Sequence, residues 1–160
     1  MAGIPEETHV ILQKLAQMEY REMRLTKNNL AVKIPLEWSS RMGNEGGLAF
    51  YDVHNSDVIG SIFALNENAD AQGIMAELEK RFVTQWNLVK TQSMEPPSSV
   101  IETVFVFQGR IAGVETRLLV GTGHTTPEKQ ILVVCAAPEL WYRSYEPVFW
   151  DILKSVLKIG

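Results

Sequence analysis

The spacing of apolar residues changes several times along the chain, and each spacing predicts a different element. Between Glu6 and Leu25 apolar residues recur every three or four positions, as they do on one face of a helix. From Leu30 to Ile34 the spacing is two, which is typical of a strand with one buried face. The pattern therefore predicts an N-terminal helix over 5–25, added to the core of the domain, and a first strand directly after it.

Two further strands, a second helix, a second group of strands and a last helix are predicted downstream. The second helix covers Ala69–Gln85, with Asp70 as its N-cap. The last helix starts near Pro147, because proline is favoured at the first helical position. The predicted strands are Leu48–Asp52, Val58–Leu65, Leu88–Gln92, Val100–Gln108, Val114–Gly121 and Gln130–Ala137. The predicted loops are 39–47, 93–99 and 122–129.

The connections between the strands set the fold class. Most are of hairpin length, such as Gly109-Arg110, and are too short for helical crossovers. The sequence therefore predicts an α+β fold over 1–160, in which a mainly antiparallel sheet of six to seven strands is flanked by helices as an αβα sandwich.

The composition of the chain argues against some classes of ligand and cellular location. The 160 residues include 15 basic and 19 acidic ones, for a net charge of −4, which argues against a nucleic-acid ligand. We find neither a secretory signal nor an apolar window of the roughly 18 residues that span a bilayer, so a cytoplasmic protein is expected. The single cysteine, Cys135, lies in the apolar run 131–137 and is expected to be buried.

The titratable residues do not form a recognisable catalytic or metal-binding motif. The histidines His9, His54 and His124 lie far apart, and neither a helical zinc pair nor a CxxC spacing is present, so no metal is expected. Asp52 and His54 alternate onto one face and could orient a general base, but 55–57 has ordinary turn chemistry. His124 follows Gly121 and Gly123 in a segment without a Walker lysine, so it is expected in a flexible loop. Asp52, His54 and His124 remain weak candidates for a small-molecule site, and no catalytic residue or cofactor is assigned.

The segment 141–150 is unusually aromatic, and two interpretations are open. Trp, Tyr and Arg dominate protein-binding hot spots, so the segment could be an exposed anchor. It could instead close one end of the core, and its place between the last strand and the last helix favours this structural role. The protein-binding candidates are Trp141, Tyr142, Arg143, Tyr145 and Trp150, together with Phe105 and Phe107 from a strand that is apolar on both faces.

Two short motifs resemble those of the PsbP-like superfamily. The first strand ends in an Ile-Pro-x-x-Trp pattern at 34–38. The chain closes with a link that contains Tyr142 and Tyr145, followed by Phe-Trp-Asp-Ile-Leu-Lys-Ser-Val at 149–156, where Val156 replaces the usual aromatic residue. The resemblance covers about 30–159, and the superfamily core would not predict the N-terminal helix.

The resemblance implies a central antiparallel sheet with helices packed on it. It also implies that the protein binds a partner and is not an enzyme. The leading hypothesis is an adaptor, most concretely a bacterial cytoplasmic chaperone that shelters apolar helices of a secreted effector. A homodimer is also expected, because the strands at 104–107 and 131–134 are apolar on both faces and a second copy could cover one of them. Two alternatives stay open. One is an extrinsic subunit of a membrane complex, and the other is a small-molecule-binding protein or enzyme with a pocket between sheet and helix.

Overall fold

The computed structural model describes residues 6–92 and 95–159, and within these ranges the chain forms three helices and ten strands. The helices are α1 (Glu6–Ala16), α2 (Ala71–Phe82) and α3 (Glu139–Lys154). The strands are β1 (Tyr20–Leu25), β2 (Leu30–Pro35), β3 (Ser39–Met42), β4 (Leu48–Asp52), β5 (Asn55–Leu65), β6 (Trp86–Gln92), β7 (Ile101–Ile111), β8 (Val114–Thr126), β9 (Lys129–Pro138) and β10 (Leu157–Lys158). The predicted loop 93–99 lies partly outside the described residues.

The main sheet has the strand order β3-β4-β5-β9-β8-β7-β6, and all of its pairs are antiparallel. A small antiparallel sheet, in the order β1-β2-β10, packs with α3 and α1 against one face of it. The helix α2 packs against the other face. The predicted α+β class and antiparallel sheet are confirmed.

Alternation along the strands of the main sheet separates two cores. On β9, Val133 and Cys135 face α3, while Leu132 and Val134 face α2. All four side chains are buried, because helices cover both faces at this central strand. The buried position of Cys135 is confirmed.

The N-terminal helix is shorter than predicted. The helix α1 ends at Ala16, and the residues predicted to extend it form β1, which pairs with β2 from Tyr20↔Pro35 to Leu25↔Leu30. A left-handed turn at Asn29 (φ 56°) connects the two strands. Pairing within the small sheet therefore overrides the helical spacing over 17–25.

The last helix starts earlier than predicted, at Glu139, so that Pro147 lies inside it. An internal proline removes one helical hydrogen bond and costs about 3 kcal/mol. The opposing contribution is an apolar stripe facing the sheet, in which each fully buried large side chain contributes about 1.5–3 kcal/mol. Its buried members are Tyr142, Tyr145, Val148, Phe149, Ile152 and Leu153.

Four predicted turns or loops differ from the structure. The turn predicted at 55–57 lies at Val53-His54, because β5 begins at Asn55 and pairs there with Asp52. The segment 39–42 is the edge strand β3, because its backbone pairs with β4 although its side chains are polar. The β7–β8 turn lies at Ala112-Gly113 (φ 50° and 80°), where two positive φ values suit a two-residue hairpin loop, and not at Gly109-Arg110.

The glycine-rich segment that contains His124 is also not a flexible loop, because β8 continues through it to Thr126. A Cβ atom on Gly123 would lie 1.6 Å from the carbonyl oxygen of Val100, and one on Gly121 would lie 2.7 Å from Leu153. These glycines therefore allow close packing within a strand.

Candidate functional site

The helix α2 leaves part of its sheet face uncovered. It has 12 residues, which is about 18 Å of helix, whereas seven strands span roughly 30 Å across the sheet. One helix, about 10 Å wide, covers only part of such a layer. The uncovered part is the β3–β4–β5 side, where Ala49 and Tyr51 are exposed and Ile59 and Ser61 are half-buried.

The uncovered strip forms a depression beside α2, which we call the α2 groove. The part with the more apolar lining, which we call the main cavity, has a volume of about 710 Å³. The groove residues used below are Arg41, Ala49, Tyr51, Ile59, Ser61, Phe63, Arg81 and Phe82. A neighbouring depression of about 1070 Å³ shares Arg41, Ala49, Ser61, Phe63 and Arg81 with it, so the two are continuous.

Strand register explains the shape of the groove. Arg41, Ala49, Ser61 and Val134 are consecutive cross-strand partners and therefore lie in one row on the α2 side of the sheet. Ala49 and Ser61 are small and form a low floor, while Phe82 on α2 forms one wall. Apolar side chains of a ligand could be buried on this floor without moving the core.

Two arginines lie on opposite sides of the α2 groove. Arg81 projects from α2, with its guanidinium carbon 3.6 Å from the centre of the Phe63 ring and its Nε donating to Glu77 Oε1 at 3.0 Å. Arg41 projects from the edge strand β3 and is exposed. Among the described residues that line the main cavity, none is a carboxylate.

A second, smaller cavity of about 230 Å³ lies beneath α1 and contains two of the candidate small-molecule residues, Asp52 and His54. The Nε2 atom of His54 lies 3.8 Å from Glu37 Oε2. Lys14 binds the same Glu37 oxygen and holds the pKa of that carboxyl below its usual range. Trp38 and apolar residues of α1 complete the lining.

Asp52 has both of its carboxylate oxygens occupied by structural hydrogen bonds. Oδ1 accepts from the backbone N–H of His54 at 2.9 Å, and Oδ2 accepts from the Tyr145 hydroxyl at 2.5 Å. Burial, and then the bond to Asp52, raise the pKa of Tyr145. Asp52 thus connects the β4–β5 turn to α3. Its hydrogen bonds go to the backbone of His54 and to Tyr145, so it does not orient the His54 imidazole.

The third candidate, His124, lies away from the other two. Its Nδ1 is 3.3 Å from Glu102 Oε1 and its Nε2 is 2.9 Å from Asn68 Oδ1. The structure therefore does not bring Asp52, His54 and His124 together into one site. Among the described residues there is no group of three or more His, Cys, Asp or Glu that could hold a metal ion.

The aromatic protein-binding candidates divide by exposure. Tyr142 (5% exposed) and Tyr145 (0%) are core residues of α3, and Phe105 (7%) and Phe107 (0%) lie under α2. The same helix presents Trp141 and Trp150 half-buried and Arg143 exposed. The aromatic segment thus packs mostly against the core, which is the structural role considered above. Trp141, Arg143 and Trp150 still reach the surface.

The α2 groove itself was not predicted from the sequence. The alternation of Leu48, Phe50 and Asp52 with Ala49 and Tyr51 indicates that one face of β4 is less buried, and this was an available signal. This alternation does not indicate how much of the sheet α2 covers, and that coverage decides whether the face forms a groove.

Among the described residues, no helix is long and apolar enough to cross a membrane. No protein-family model matches the sequence, and no curated protein matches it significantly.

Solved structures with low sequence identity share the fold. The solution structure of cyanobacterial PsbP from Synechocystis sp. PCC 6803 is 12% identical, with a TM-score of 0.58 over 87% of this chain and 92% of that chain. The Ran-binding protein Mog1p from Saccharomyces cerevisiae is 7% identical, with a TM-score of 0.66 over 89% and 97%. PA94 from Pseudomonas aeruginosa, a protein of unknown function, is 12% identical, with a TM-score of 0.53 over 89% and 99%. The chain therefore has a PsbP-like fold, as its motifs predicted, and at least one protein of this fold binds a protein partner.

Proposed function

We propose that this chain is a non-catalytic binding protein that holds an apolar segment of a partner protein in the α2 groove. The observation that carries the proposal is the uncovered strip of sheet beside α2. The strip spans β3 to β5, two strand spacings or about 10 Å, which is the diameter of one helix. A partner helix lying there would complete the layer that α2 begins. The binding of Ran by a protein of the same fold supports a protein partner in general.

The most concrete form of this function is a chaperone for a secreted effector, in which the groove shelters an apolar helix before export. Sheltering works by removing apolar area from water, at about 25 cal/mol per Å². The exposed side chain of Tyr51 and the half-buried side chains of Ile59 and Phe82 supply such area. No catalytic group is needed for this role.

Photo-crosslinking through the groove tests the proposal. Benzoyl-phenylalanine placed at Tyr51, an exposed aromatic residue of the groove, is expected to form a discrete adduct with a partner protein in the native cell. The same residue placed at Val114, which is also exposed but lies at the β7–β8 turn, is the matched control. Mass spectrometry of the adduct identifies the joined segment, and an apolar helix of a secreted protein would support the chaperone role.

Equal adduct patterns at the two positions, or no adduct at position 51, would count against a groove-bound partner. An adduct between two copies of this chain would identify a homodimer through the groove. Sedimentation velocity then measures whether the dimer persists in solution.

The cavity beneath α1 favours one second candidate function, the binding of a small molecule beside His54. Ligand screening by thermal shift, with the wild type and the His54→Ala variant, tests it. His124→Ala is the control, because His124 lies outside that cavity. A ligand that stabilises both variants as much as the wild type would exclude the site.

A further inference from the structure

The charges around the α2 groove differ from those of the whole molecule. The chain carries a net charge of −4, yet the described residues lining the main cavity include two arginines and no carboxylate. On the floor strands, Asp57 of β5 lies two positions before Ile59 and outside that lining, and Asp52 of β4 is buried on the α3 side, where it accepts from Tyr145. Arg81 is ion-paired with Glu77 at 3.0 Å, so among the described residues the unpaired positive charge in this part of the groove is that of Arg41.

Arg81 is held in place before any ligand arrives. Its guanidinium stacks over Phe63 at 3.6 Å, and its Nε donates to Glu77 one helical turn earlier. A guanidinium has five N–H donors, so four remain for other acceptors. Because the side chain is already ordered, little conformational entropy is lost when those donors bind a carboxylate.

Arg41 faces the same cavity from the other side. It lies opposite Ala49 in the register, so its long side chain extends over a small residue. Within residues 6–92 and 95–159 it makes no side-chain hydrogen bond and no ion pair. The continuous depression nearby also carries the acidic residues Glu45, Glu67 and Glu77. Glu77 is already paired with Arg81, so the unpaired charge that the described residues place in the apolar part of the groove belongs to Arg41.

These contacts define the chemistry of the occupant, if the proposed function holds. The floor fits an apolar stripe, and the arginines on the two sides fit carboxylates beside that stripe. We propose that the α2 groove selects an amphipathic partner helix that carries Asp or Glu next to its apolar face. A basic flank would place like charges together on both sides and is rejected.

Three matched peptides test the selection. Each is a helical peptide with the same leucine stripe, and the residues flanking the stripe are Glu, Gln or Lys. Binding is followed by the amide chemical shifts of β4 and β5 in ¹⁵N-labelled protein. The Glu peptide is expected to bind about fivefold to tenfold more tightly than the Gln peptide, since a charged hydrogen bond contributes about 1–1.5 kcal/mol more than the neutral one that Gln can make. The Lys peptide is expected to bind most weakly.

Charge reversal provides the residue-level evidence. Arg41→Glu is expected to remove the preference for the Glu peptide and to favour the Lys peptide. Arg143→Glu changes the net charge equally on α3, on the opposite side of the sheet, and should leave the order of the peptides unchanged. Ala49→Trp fills the groove floor and should weaken all three peptides together.

The outcomes separate this inference from the proposed function. Equal affinity of the Glu and Gln peptides, or equal effects of the two arginine variants, overturns the charge selection. If no peptide shifts the groove amides while the cross-link at position 51 still forms, the inference fails and the proposed function stands. If the cross-link is also absent, both fail. Decanoate that shifts these amides when the Glu peptide does not would identify a small amphiphile as the ligand and overturn the inference.

Discussion

At the scale of single residues, Val83 has a backbone conformation that β-branched residues rarely adopt. It caps α2 in the left-handed region, at φ 50° and ψ 47°, where its N–H donates to the carbonyl of Glu79. Its side chain is 90% exposed, so packing does little to offset the strain. For a residue with a Cβ this conformation costs about 1–2 kcal/mol, which is why helices commonly end in glycine there.

Val83→Gly is therefore expected to raise the free energy of unfolding by about 1 kcal/mol, since the relieved strain exceeds the extra entropy of the unfolded chain. Urea denaturation at neutral pH measures the change. Val83→Ala keeps the Cβ and is expected to gain less. If the two variants are equally stable, strain at this cap is not the cause.

Two tyrosines of α3 offer a matched pair, because both are buried but only one has a hydrogen-bonded hydroxyl. The Tyr145 hydroxyl donates to Asp52 at 2.5 Å. The Tyr142 hydroxyl is buried near Glu146 and makes no hydrogen bond among the described residues. Removal of the hydroxyl should therefore destabilise the fold at Tyr145 but not at Tyr142.

Tyr145→Phe is expected to lower the free energy of unfolding by about 1–3 kcal/mol, because Asp52 is left buried with one donor fewer. Tyr142→Phe is expected to be neutral or slightly stabilising. Urea midpoints for both variants at pH 7 provide the comparison. Equal losses of stability in the two variants would mean that the hydrogen bond between Tyr145 and Asp52 does not stabilise the fold.

At the scale of elements, the sequence pattern predicted the structure correctly wherever local spacing and tertiary packing favour the same element. The strand β9 and the helix α2, with its Asp70 cap, form where predicted, because their apolar residues also face the core. The pattern was insufficient over 17–25 and 139–146. There, pairing with β2 and packing against the sheet decide the element, and neither is visible in local spacing.

In the candidate site too, the sequence pattern predicted local features but not those that depend on tertiary contacts. Asp52 and His54 were correctly identified as neighbours at the end of a strand, but the bond that uses Asp52 comes from Tyr145, far away in the sequence. The α2 groove depends on the space that α2 leaves uncovered. A sequence pattern reports which residues favour burial, and it does not report where a layer ends.

The helix α1 is attached through a narrow contact, and this predicts independent motion. Ile11 is 7% exposed and packs into the α3-side core, whereas the next residue, Leu12, is 41% exposed. Lys14 adds an ion pair with Glu37, but exposed pairs contribute little, about 0–1 kcal/mol. Local opening of α1 should therefore cost less than global unfolding.

Ile11→Ala is expected to speed amide exchange in α1 at least tenfold and to leave exchange in β8 and β9 nearly unchanged. Leu12→Ala, in the same helix, should have little effect on either region. Hydrogen exchange with mass spectrometry resolves the two regions. A parallel increase across the whole sheet in Ile11→Ala would mean that α1 opens only when the domain unfolds.

At the scale of the whole molecule, the α3-side core concentrates weak acids that the fold keeps protonated. Burial raises the pKa of the Cys135 thiol well above its ordinary value of 9.0. Burial also raises the pKa of Tyr20, Tyr142 and Tyr145 above 10.0, with added contributions from Asp151, Glu146 and Asp52 respectively. The unfolded chain, in contrast, loses these protons at ordinary pKa values. Each group therefore stabilises the fold fully below its unfolded pKa, and this contribution is lost as the pH rises above it.

The loss should begin with the thiol, because it titrates before the tyrosines in the unfolded chain. Between pH 9 and pH 10 Cys135 is expected to lower the free energy of unfolding by about 1 kcal/mol, and the three tyrosines together by at most about as much, since Tyr20 is only half-buried. Urea denaturation from pH 7 to pH 10.5 measures the decline. In Cys135→Ala the decline between pH 9 and pH 10 should be at least halved, whatever the variant's stability at pH 7, because alanine cannot release a proton. Parallel curves for the variant and the wild type between pH 9 and pH 10 would mean that the thiolate is tolerated in the folded core, and the packing argument for β9 would then fail.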